Sequence, residues 1–159
     1  MHITIPGRGA FDLRHLVLDV NGTVAIGGCL VDDLGPRLQA LRQAGLQIHW
    51  ITADTRGRQA ALDEEMGWPA ERISATKPGD EQAQKAAFVR KLGAGHTVAI
   101  GNGANDAEML REAALGIAVQ GEEGLAVEAL LAADLVAPDI HAALELLIEP
   151  SRLIATLRR

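Results

Sequence analysis

Leu18-Asp19-Val20-Asn21-Gly22-Thr23 and Ile100-Gly101-Asn102-Gly103-Ala104-Asn105-Asp106 each follow a short apolar run and carry an acid at or just beyond the point where a strand should end. At the carboxyl end of a buried parallel strand, side chains and loops project into the crevice where open α/β sheets bind their ligands. Asp19 and Asp106 are therefore expected to face one pocket from two strands.

Outward from these stretches, short apolar runs alternate with segments of helical periodicity. The predicted strands are His15 to Val20, Leu46 to Ile51, Arg72 to Ala75, Thr97 to Ile100, Gly116 to Val119 and Leu135 to Val136. Between them lie predicted helices over Leu34 to Gln43, Arg56 to Met66, Asp80 to Leu92, Asn105 to Ala114, Gly124 to Ala132 and Ile140 to Leu147. Near-continuous apolar strands joined by helices imply a parallel sheet covered on both faces, a three-layer, doubly wound, Rossmann-like α/β fold. Met1 to Pro6 is expected to add a strand, and the amphipathic tail Ser151 to Arg159 to dock on the body or on another subunit. Val24 to Val31 reads as two short strands around Gly27-Gly28. Such a hairpin is too short to stand alone; its own domain or a neighbouring subunit must cover it, which makes it a candidate contact in a homo-oligomer.

A chain of 159 residues, 48% hydrophobic, supports one domain over residues 1–159 with a substantial core. The net charge of -6 and scattered basic residues offer no phosphate-tracking surface, so nucleic acid is not an expected partner. No apolar stretch approaches the roughly 18 residues of a membrane span. A single cysteine, Cys29, excludes an internal disulfide, and no secretory segment opens the sequence. A cytoplasmic, soluble protein is expected. The five histidines have no mutual spacing that suggests zinc binding and are read as structural or exposed.

The second stretch is not a dinucleotide fingerprint, which needs glycine at its sixth position. Asp106 stands there, and a carboxylate would repel a pyrophosphate but hold a cation that holds a phosphate. With Asp19-Val20-Asn21-Gly22-Thr23 ahead of it, the chain resembles the haloacid dehalogenase superfamily, and within it the phosphorylation domain of P-type ATPases. That likeness extends over roughly Leu16 to Leu147.

The resemblance implies an aspartyl phosphate formed on Asp19 and a Mg²⁺ ion held by Asp19, Asn21, Asn102 and Asp106. Val20, Gly22, Thr23, Ala53 and Asn105 would shape the phosphate site, and Thr52 would donate its hydroxyl to the phosphoryl group. The lysine that offsets charge is either Lys85, which aligns better with the ATPase helix, or Lys77. Asp54 is an N-cap for the helix that follows or a pocket acid.

Two positions depart from the family pattern. Asn21 replaces the aspartate that shuttles protons in most phosphatases of the superfamily, a loss of about 10² to 10⁴ in rate for alkoxide leaving groups. Asn102 replaces an aspartate that binds the metal, which weakens the site. The expected activity is therefore a slow phosphohydrolase or phosphotransferase acting on a small phosphorylated substrate or a phosphoprotein. The alternative is a weak or inactive module that binds a phosphorylated ligand or protein partner. The interval between Asp19 and Thr52 leaves no room for a cap domain, so the hairpin at 24–31 is the candidate flap.

Overall fold

The structure is a computed structural model and describes residues 1–53, 59–67, 69–73, 77 and 79–159. An antiparallel ribbon comes first, β1 (His2–Ile5) and β2 (Gly9–Asp12). The central strands are β3 (His15–Asp19), β6 (Gln47–Thr52), β7 (Glu71–Arg72), β8 (Thr97–Gly101), β9 (Leu115–Val119) and β10 (Leu135–Ala137). They form one parallel sheet in the order β10-β9-β8-β3-β6-β7. Between β3 and β6 lies the hairpin β4 (Ala25–Ile26) and β5 (Cys29–Leu30), paired antiparallel.

The helices are α1 (Leu34–Gln43), α2 (Gln59–Met66), α3 (Asp80–Leu92), α4 (Ala107–Glu112), α5 (Val127–Ala132), α6 (Ile140–Ile148) and α7 (Pro150–Leu157). The alternation read from the sequence is observed, and no cap domain interrupts it among the described residues. The predicted helix start at Arg56, the strand end at Ala75 and the reading of Asp54 lie outside the described residues. β2 has no counterpart among the predicted strands, because Gly9-Ala10-Phe11-Asp12 has no clean period of two and its pairing to β1 is decided by the turn between them. The tail does dock: Leu153 and Leu157 of α7 are buried, and the Arg159 N–H donates to the Pro6 carbonyl at 3.1 Å.

Strand alternation divides the core into two layers. Leu16, Leu18, Trp50, Ile100, Ile117 and Val119 point to one face, where Leu38 and Leu41 of α1 and Leu144 and Leu147 of α6 cover them. Val17, Ile51, Ala99 and Ala118 point to the other, against Val89 of α3, Met109 and Leu110 of α4 and Ala129 of α5. On that second face His15 Nδ1 and His49 Nε2 lie 3.2 Å apart, with the His49 ring edge-on to Phe88. Burial holds both imidazoles below their ordinary pKa. Two of the five histidines therefore meet across adjacent strands, a pairing that their separation along the chain conceals.

The connection order fixes where a ligand site can form. From β3 the chain steps outward to β6 and β7, then returns through α3 to place β8 on the other side of β3. The loops after β3 and β8 therefore diverge, and the crevice between them is the switch point of the sheet. Asp19 closes β3, and the loop after β8 carries Asp106.

Candidate active site

At the end of β3 the chain turns sharply. The Val20 carbonyl accepts from the N–H groups of Thr23 (3.3 Å), Val24 (3.0 Å) and Ala25 (2.8 Å), while Gly22 N–H donates to the Ala25 carbonyl at 2.7 Å. Gly22 takes φ +83°, and a Cβ there would come within 2.7 Å of the Asn102 amide, so both conformation and space require glycine. The N–H groups of Gly22 and Thr23 are thus spent on the turn itself, and that of Val20 donates to the Ile51 carbonyl at 3.1 Å. Among the described residues the Asn21 N–H has no such partner.

The loop after β8 is organised by Asp106. Its Oδ2 accepts from the N–H groups of Asn102 (3.0 Å) and Gly103 (2.8 Å), closing the loop over its own carboxylate. Gly101 leaves the room for this, since a Cβ there would lie 2.5 Å from the Asp106 carboxyl carbon. Asp106 Oδ1 faces α3.

Lys85 rises from α3 into this crevice. Its side chain is fully buried, and Nζ donates to Asp19 Oδ1 and to Asp106 Oδ1, both at 2.6 Å. One cation thus bridges the two carboxylates carried at the ends of two strands. Burial, followed by the Asp106 charge, pushes the Asp19 carboxyl up to about 7 against the opposing pull of Lys85. Burial alone would lower the Lys85 ammonium, but Asp19 and Asp106 outweigh it and hold it above its ordinary value. Lys77, the other candidate, is exposed, and its N–H donates to the Asp80 carboxylate at 2.8 Å.

Of the other residues singled out, Thr52 ends β6 fully buried, and Asn21 Nδ2 donates to its Oγ1 at 3.1 Å. Asn102 is tied elsewhere: its Oδ1 accepts from Thr23 Oγ1 (3.3 Å) and its Nδ2 donates to the Gly124 carbonyl (3.2 Å). Asn105 donates from Nδ2 to Glu81 on α3 at 2.9 Å. Ala53 follows Thr52, half-buried, and brings no polar side chain. The clasp through Gly124 had no sequence signal beyond the glycine pair at 121 and 124, because its partner is a backbone carbonyl.

The donors around the crevice are oxygens, which suit a hard cation. Asp106 has both carboxylate oxygens engaged by protein donors, whereas Asp19 has one, Oδ2, away from Lys85. No group of three His, Cys, Asp or Glu side chains is placed to hold a metal among the described residues. This donor set fits Mg²⁺ in its usual habit, with one or two carboxylates, substrate oxygens and several retained waters.

Comparison with known proteins agrees with this fold. The sequence profile of haloacid dehalogenase-like hydrolases matches residues 4–114. The chain is 38% identical over 91 residues to an uncharacterised protein of Methanocaldococcus jannaschii, covering 55% of this chain and 98% of that one. It is 34% identical over 110 residues to a probable copper-exporting P-type ATPase of Archaeoglobus fulgidus, covering 69% of this chain but only 13% of the transporter. Among solved structures, 3-deoxy-D-manno-octulosonate 8-phosphate phosphatase of Moraxella catarrhalis, crystallised with magnesium and phosphate, superposes with a TM-score of 0.66 at 21% identity, covering 92% of this chain and 94% of that one. A zinc-transporting PIB-type ATPase superposes with a TM-score of 0.63 at 25% identity, covering 80% of this chain and 20% of that one. No helix among the described residues is long and apolar enough to cross a membrane. With its motifs ordered as expected on a shared sheet topology and a profile match over more than half its length, the chain belongs to the haloacid dehalogenase-like hydrolases.

Proposed function

We propose that the protein is a Mg²⁺-dependent phosphohydrolase or phosphotransferase that works through an aspartyl phosphate on Asp19. The observation that supports it is the buried Lys85 ammonium held 2.6 Å from both Asp19 and Asp106 at the switch point of the sheet. A wholly buried cation between two carboxylates is costly to maintain. Here it opposes the burial that raises the Asp19 carboxyl and would balance an incoming phosphate.

In this reading Asp19 Oδ2 attacks phosphorus and the bond from phosphorus to the leaving oxygen breaks. Lys85 stays on Oδ1 and offsets the charge that gathers as the phosphate arrives. Thr52, oriented by the Asn21 amide, donates to a phosphoryl oxygen, and the Asn21 N–H does the same. Asp19, the Asn21 carbonyl, the Asn102 amide oxygen and Asp106 would hold Mg²⁺, which would supply neutralisation of the phosphoryl charge. Asn21 has no proton to give, so the departing oxygen takes its proton from water. A second water then attacks the phosphorus, freeing inorganic phosphate and regenerating Asp19. Turnover is slow for alkoxides and faster for leaving groups of low pKa.

The substitution of both Asn21 and Asn102 for carboxylates favours one other reading, a module that binds a phosphorylated ligand or protein without turning it over. Phosphate release from acetyl phosphate and p-nitrophenyl phosphate, with and without Mg²⁺, separates the two. The enzyme reading expects Mg²⁺-dependent release, lost in Asp19→Asn, and a base-labile phosphoryl group on Asp19. Release that persists in Asp19→Asn overturns the mechanism; no release and no beryllium fluoride adduct leaves the binding reading.

A further inference from the structure

We infer that His15 and His49 form a second metal site, for a borderline divalent transition ion such as Zn²⁺ or Cu²⁺, at the end of the sheet opposite to Asp19. His15 opens β3 and Asp19 closes it, so the two sites lie roughly 13 Å apart along one strand. The site does not depend on the role proposed for Asp19.

Register brings the two rings together. β3 and β6 run parallel with His15 opposite Gln47 and Val17 opposite His49, so both imidazoles leave the face covered by α3 and meet on the diagonal. His15 Nδ1 and His49 Nε2 stand 3.2 Å apart. Two nitrogens bound to one ion at about 2.0–2.1 Å are separated by ~3.3 Å in a tetrahedron and ~2.9 Å at a right angle, so the observed gap lies within the bite of such an ion. The rings are also held in place: His49 packs edge-on against Phe88 of α3, with centroids 5.8 Å apart, and is tilted 48° from His15. The ordering that a flexible pair would need on binding is therefore already present.

The donor type selects the ion. Neutral imidazoles suit Zn²⁺, Cu²⁺ and Ni²⁺, whereas Mg²⁺ and Ca²⁺ take oxygen. Without an ion, one ring donates its N–H to the other across the gap. When an ion enters, that proton moves to the outer nitrogen of the same ring; among the described residues neither outer nitrogen is hydrogen-bonded to protein, so either tautomer is open and no proton leaves the pair. Both rings are half-buried, and no third His, Cys, Asp or Glu joins them among the described residues, so water fills the remaining positions. Arg14 lies near His15 but is paired with Asp12 at 2.6 Å, which offsets its charge. The bound ion ties β3 to β6 at the ends remote from Asp19 and Thr52.

The test titrates the full chain, stripped by chelator and returned to excess Mg²⁺, with ZnCl₂ in a calorimeter. About one equivalent should bind, at least about tenfold more weakly in His15→Gln and in His49→Gln, and unchanged in Asp19→Asn. Zn²⁺ binding that survives in both histidine variants, that disappears in Asp19→Asn, or that Mg²⁺ displaces, overturns the site. The wild type supplies a second readout should a variant fail to fold. Zn²⁺ should shift the ring resonances of His15 at Nδ1 and of His49 at Nε2, and Cu²⁺ in its place should show coupling to two imidazole nitrogens by electron paramagnetic resonance. Shifts confined to His2, His96 or His141, or none at all, overturn the site. None of these readouts involves phosphate release, so failure here spares the proposed function, and failure of that function leaves this site standing.

Discussion

Lys85 Nζ and Asp19 Oδ1 are 2.6 Å apart in a site that excludes solvent from the lysine altogether. A second carboxylate, Asp106, lies at the same distance from the same nitrogen. With all three groups ionised the cluster carries one uncompensated negative charge, and its energetics follow from that imbalance.

Removal of the cation should be the most damaging change in the crevice. Lys85→Met leaves two buried carboxylates facing each other, with an expected loss of about 3–5 kcal/mol at pH 8. The loss should be smaller at pH 5, where protonation relieves the pair. Urea unfolding at the two pH values checks this; a loss under about 1 kcal/mol at both, the range of an exposed ion pair, would show that the bridge is not energetically important.

Asp19 should make the folded protein less stable as the solution becomes less acidic. Its folded pKa of about 7 lies above the ordinary 3.8, so its contribution is fully present below 3.8 and lost as the pH rises through about 7. In chelator, wild type should lose stability relative to Asp19→Asn across that window, and Mg²⁺ should restore more of it above pH 7 than below pH 5. Parallel stability profiles for the two proteins, measured by urea midpoint, contradict the assignment.

Restoring an acid at position 21 should help the slowest chemistry most. Asn21→Asp replaces an amide that donates to Thr52 Oγ1 at 3.1 Å with a carboxyl that can pass a proton to a leaving oxygen. Steady-state rates should rise by about 10² or more for alkyl phosphates and much less for acetyl phosphate. Equal gains on both substrates would mean that proton transfer does not limit the reaction.

Space at Gly101 should matter as much as charge. Alanine there would place its methyl against the Asp106 carboxyl, displacing it from Lys85 or from the N–H groups of Asn102 and Gly103. Overpacking of this kind costs about 1–3 kcal/mol. Gly101→Ala should therefore lower both the unfolding midpoint and phosphate release; full activity in a destabilised variant would separate the loop from the chemistry.

Much of this molecule follows from order along the chain. Apolar runs such as Leu16 to Leu18 and Val98 to Ile100, each closed by glycine and acid and each followed by helical periodicity, dictate a parallel sheet, because local period and burial act within a few residues. The hairpin around Gly27-Gly28 and the docked tail were legible for the same reason. Contacts between residues far apart were not. That Lys85 enters the crevice depends on which face of α3 the crossover turns toward β3 and β8, whereas Lys77 precedes the helix and stays exposed. The meeting of His15 with His49, and the grip of Asn102 on Gly124, likewise arise only when strands are set side by side. Local sequence selects the elements and the chemistry they carry; the sheet order, which no short window encodes, selects the partners.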